Sequence, residues 1–116
     1  MYFDTIRAKA EFNANEQSAT GVDLGVDLKP MTYMLKSSGV SGTSPTVDVI
    51  IQESDDNSTW RNLGTFPQMT AGGELFITLK SNARYRRHYS TIGGSNTPKV
   101  LNMIVARVPG GRSKNW

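Results

Sequence analysis

Alternation with a period of two constrains this chain more than any other feature. Along residues 46–53 the apolar Val47, Val49 and Ile51 take every second position, with Asp48, Ile50 and Gln52 between them. Successive side chains of a strand point to opposite faces, so this spacing predicts a strand with one face turned inward. Leu75, Ile77 and Leu79 repeat the pattern against Phe76, Thr78 and Lys80, after the turn signal Ala71-Gly72-Gly73. Residues 99–108 form a longer run rich in β-branched and other apolar side chains, closed by Pro109-Gly110-Gly111. That composition also favours a strand.

Further strand candidates fill the gaps. Trp60 to Phe66 follows the polar cluster Ser54-Asp55-Asp56-Asn57-Ser58, whose Asp and Asn side chains bond their own backbone in tight turns, so residues 46–66 read as a β-hairpin. Residues 84–92 give two faces, Tyr85, Arg87, Tyr89 and Thr91 against Arg86, His88, Ser90 and Ile92, neither cleanly apolar. Residues 31–36 read as a short strand after Pro30, and residues 2–10 as an extended segment. The tetrapeptide Gly-Val-Asp-Leu occurs twice within residues 21–28, too short for a repeat architecture and read as an irregular surface loop or edge strand. No window keeps a helical apolar period beyond two turns. The expected fold is all-β: an antiparallel two-sheet sandwich, jelly-roll-like, over residues 1–109, with a basic C-terminal tail at 110–116.

Composition narrows the chemistry. The 116 residues amount to one domain's worth of chain and include no cysteine, so thiol nucleophiles, zinc-thiolate sites and disulfides are excluded by counting. No apolar run approaches the ~18 residues of a membrane span, and Asp4, Glu11 and Glu16 interrupt the first twenty residues, so neither a membrane segment nor a signal peptide is expected. The net charge of +3 conceals a split. Residues 1–79 carry five basic and all ten acidic side chains, whereas residues 80–116 carry eight basic side chains and no acidic one. Such asymmetry marks either a surface for an acidic partner or two segments that the fold interleaves.

The inventory for catalysis is thin. His88 is the sole histidine, sits among Arg84, Arg86 and Arg87, and reads as a sheet-surface residue; no Gly-x-Ser-x-Gly elbow is present. The acidic cluster at 53–57 lacks the spacing of an EF-hand, and Gly93-Gly94-Ser95 is not followed by the Gly-Lys-Ser/Thr of a phosphate loop. The sequence therefore points to a binding or structural protein without cofactor or metal, not to an enzyme. Interleaved Arg and Tyr at 84–89 raise the possibility of nucleic acid, against which the modest net charge and missing single-strand-binding motifs argue.

Three segments together carry a resemblance. The opening Met1-Tyr2-Phe3-Asp4, the strand-turn-Trp hairpin from Val47 to Trp60, and the Arg84-Tyr85-Arg86-Arg87 strand are similar to those of small cement (decoration) proteins of tailed-bacteriophage heads. The resemblance implies a jelly-roll-like sandwich on the outer capsid surface of the virion, made in the bacterial cytoplasm and tying neighbouring major capsid proteins together. The chain departs from that pattern in its long basic tail. The same hairpin type occurs in carbohydrate-binding modules, so a glycan-binding sandwich of a phage tail or baseplate is the alternative, with Trp60 and the tyrosines as stacking platforms.

The residues themselves suggest where contacts would fall. Arg84, Arg86, Arg87 and Arg107 belong to the carboxylate-free part of the chain and are expected to face an acidic patch, with Tyr2, Phe3 and Trp116 as apolar anchors at the ends. Open sheet edges are hazards unless paired, so self-association is expected as well, a dimer ahead of a trimer.

Overall fold

The computed structural model describes residues 4–108, and every regular element in that span is a strand. They are β1 (Asp4–Phe12), β2 (Glu16–Gln17), β3 (Val22–Asp23), β4 (Met31–Ser54), β5 (Arg61–Thr65), β6 (Gly73–Leu79) and β7 (Tyr85–Val108). All pairings are antiparallel and join into one seven-stranded sheet.

Its spine is the ribbon of β4 against β7, paired from Thr32↔Val108 to Ser54↔Tyr85. A straight strand of 24 residues would span roughly 80 Å at ~3.3 Å per residue, but the longest extent of the molecule is 43 Å. The ribbon is therefore bent. The bend lies where the register slips between Ser41 and Thr46, and where Gly42, Ser44, Gly94, Asn96 and Thr97 take positive φ. Gly94, at φ 114, shows why: a Cβ there would stand 2.9 Å from the carbonyl oxygens of both Thr43 and Ser44. Turn-forming residues that lie between the strand candidates of the sequence thus bend a strand without ending it.

The bend makes two arms. In one, β1 and β6 flank the ribbon; in the other, β2 and β3 line one side and β5 the other. Inward side chains from both arms share one core: Tyr33, Leu35, Val100, Met103 and Val105 from the first, Val47, Val49 and Ile51 from the second, with Phe12 and Phe66. The alternation of residues 47–51 and 75–79 faces this core as expected, and the 46–66 hairpin forms as β4–β5. Its turn is held by Asp56, whose carboxylate accepts from the N–H groups of Ser58 and Thr59.

Candidate protein-interaction site

The inward face of β7 near Tyr85 is not apolar. Arg86, His88 and Ser90 point inside, and Arg86 is the largest fully buried side chain. Burying a guanidinium is costly unless every donor is satisfied. Here Nε donates to the Tyr33 hydroxyl (2.9 Å), Nη1 to the Ala83 carbonyl (2.6 Å), and Nη2 to the Gly25 carbonyl (2.8 Å) and to Asp27 Oδ1 (3.0 Å).

Asp27 is the hub. Its carboxylate also accepts from Tyr33 Oη (2.7 Å), the Ser81 N–H (2.9 Å) and Arg107 Nη1 (2.8 Å), while Arg107 Nε reaches Asp4 (2.8 Å). Burial pushes the Asp27 carboxyl up, but the Ser81 amide, the Tyr33 hydroxyl and the two guanidiniums outweigh it and hold the group below the ordinary carboxylate range. Tyr33 is pushed up to about 12, by burial first and by donating to Asp27. Ser81 extends the network to Glu53, which pairs with Arg61 (2.8 Å). The segment between β3 and β4 is thereby fastened to both arms at once.

That fastening has an outward consequence. The neighbours of Asp27 point the other way: Val26 is 50% and Leu28 89% exposed. With Lys29, Met31 and Arg107 they border an open hollow of about 400 Å³. An apolar side chain held out by a rigid loop needs little ordering on binding, which favours contact with another surface.

Half of the expected basic face is used up inside. Arg86 is a core residue and Arg107 is nearly covered, both neutralised by aspartates, so neither presents charge to a partner as the sequence reading proposed. Arg84 stays 63% exposed beside Asp23 (2.7 Å). The Arg87 guanidinium lies 4.4 Å from the centroid of the Trp60 ring and donates to Gln52 (2.7 Å) and the Ser18 carbonyl. Gly21 sits under the edge of that ring, where a Cβ would come within 2.4 Å of Trp60 Cη2. One face and one edge of the indole are therefore occupied, which removes much of the stacking platform a glycan would use. Tyr2, Phe3 and Trp116 lie outside the described residues.

His88 also differs from expectation. It is buried, with Nδ1 2.7 Å from Ser90 Oγ and Nε2 3.6 Å from Glu16, whose carboxylate is held by Arg7 (2.7 Å). Burial pulls the imidazole below its ordinary value, with Glu16 opposing and Arg7 assisting. Among the described residues no three His, Cys, Asp or Glu side chains gather as a metal site would require.

The sequence reading did not single out Asp27, Tyr33 or Ser81. The one trace of the hub is the alternation Val26-Asp27-Leu28, a carboxylate flanked by apolar residues. No family model, curated protein or solved structure matches the chain.

Proposed function

We propose that this chain is a cement protein of a tailed-bacteriophage head, acting as a homodimer on the outer capsid surface and linking neighbouring major capsid proteins. In this reading the two arms of the bent sheet are the stacked layers of a jelly-roll-like sandwich. The single observation that carries it beyond the sequence resemblance is Leu28, held almost fully in solvent by a loop whose adjacent Asp27 is locked into the core. Such a part needs rigidity and a contact surface, not chemistry. Binding only the assembled shell would stabilise that state by RT ln(1 + [L]/Kd) per site, about 2.7 kcal/mol at a hundredfold excess over Kd.

Decoration of stripped, expanded heads by the purified protein tests the proposal. Leu28→Asp should weaken attachment at least about tenfold, since placing a charge in an apolar contact costs more than ~1.4 kcal/mol, and should leave the circular dichroism spectrum of the free protein unchanged. Failure of the parent to bind heads, together with retention on a glycan array, would move the reading to the carbohydrate-binding alternative.

A further inference from the structure

We infer that β6 is the strand through which two copies of this chain join, edge to edge and antiparallel about a two-fold axis at Ile77. The inference deepens the self-association in the proposed function by naming its surface, and it does not depend on the capsid.

The other edges are blunted. β1 meets β7 with three register shifts, β2 and β3 have two residues each, and β5 has five with a register shift against β4. Among the described edge strands, only β6 combines length with regularity, since its seven residues pair with β4 from Met31↔Leu79 to Ser37↔Gly73 without a shift. Among the described residues its other side has no strand partner. A regular open edge of this kind is a template for another strand.

The side chains favour a second copy as the occupant. Glu74, Phe76, Thr78 and Lys80 are exposed on one face, and Leu75, Ile77 and Leu79 lie half-buried on the other, against the core. Turning residues 74–80 about Ile77 sets Glu74 opposite Lys80 of the second copy, twice by symmetry, and Phe76 opposite Thr78. On the inner face Leu75 meets Leu79 and Ile77 meets itself. The strand is complementary to its own reverse in charge on one face and in apolarity on the other. The ion pairs among the described residues leave out both Glu74 and Lys80, and Lys80 donates to the neutral Asn82. Phe76, 56% exposed, would gain cover, and the half-buried apolar residues would be sealed. Two four-stranded arms would become one eight-stranded sheet with β6 at its centre.

Charge swapping tests the register, read by sedimentation equilibrium of the full chain. The parent should be a dimer at micromolar concentration. Glu74→Lys and Lys80→Glu, each replacing two attractions by two repulsions, should separately weaken it about tenfold. The double variant E74K/K80E should restore the dimer, and an equimolar mixture of the single variants should form heterodimers in preference to either homodimer. A monomeric parent, a dimer indifferent to the single changes, or a double variant that stays weak would each overturn the pairing. Head decoration is scored separately: a monomer that decorates heads defeats this inference and the dimer of the proposed function but leaves attachment to the capsid standing, and a dimer that decorates none defeats the capsid reading alone.

Discussion

Asp27 concentrates the electrostatics of the molecule in one carboxylate. Removing one partner of a buried ionic cluster leaves the others desolvated and unpaired, typically at ~3–5 kcal/mol. Asp27→Asn should therefore lower the unfolding free energy by about that amount at neutral pH, measured by urea denaturation. Because the folded carboxyl lies below its ordinary value of 3.8, its ionic contribution is complete above that pH and is lost as acid titrates the folded group. The difference between parent and variant should shrink only below about pH 4. His88 acts in a different window. Its folded value is depressed from 6.5, so the unfolded chain takes up the proton first and stability falls as pH drops through 6.5. His88→Gln should flatten the part of that fall that sets in as pH drops through 6.5, and an unchanged slope would show that another group titrates there. Neither role was legible in the sequence. Arginine is rarely buried without a partner, and the partner of Arg86 stands 59 residues away, a separation local patterning does not report.

At the scale of elements, reading succeeded where one strand face is apolar. Val47, Val49 and Ile51 fix β4, Leu75, Ile77 and Leu79 fix β6, and the Ser54–Ser58 cluster marks the turn to β5. It stopped short at residues 38–45 and 93–98, where Ser, Gly, Thr and Pro resemble a loop. Those residues keep the ribbon paired while it changes direction, and turn chemistry alone does not distinguish a bend from an end. Gly94→Val tests this view. A β-branched residue is strained at φ 114, and its Cβ meets the backbone of Thr43, Ser44 and Pro45 with no flexible side chain to give way. The variant should lose more than ~2 kcal/mol, whereas Ser95→Val, at an exposed neighbouring position, should shift stability by less than ~0.5 kcal/mol. Similar losses in thermal unfolding would mean that the bend is tolerant.

Over the whole molecule, the split of charge along the sequence is partly undone in three dimensions. The acidic Asp4, Asp23 and Asp27 come from the first part of the chain and meet Arg107, Arg84 and Arg86 from the last, so interleaving accounts for three of the six described basic residues from Lys80 onward. The same topology brings the two ends of the described span together, since Asp4 is the register partner of Arg107. A circular permutant that links Val108 to Asp4 through a short flexible linker should therefore fold, provided its new opening avoids the spine. Opening between Ala71 and Gly72, both exposed and just before β6, cuts a connection. Opening between Ser41 and Gly42 lies in a stretch of equally loop-like composition but severs β4 at the bend, so the two arms lose their covalent continuity along one side of the ribbon. The first permutant should unfold cooperatively within about 2 kcal/mol of the parent, and the second should lose cooperativity or fail to fold, as followed by circular dichroism across a urea series. Equal behaviour of the two would contradict a continuous spine and favour two sheets joined by ordinary loops. The difference between them measures how far the bent ribbon, and not the sum of its short strands, holds this chain in one state.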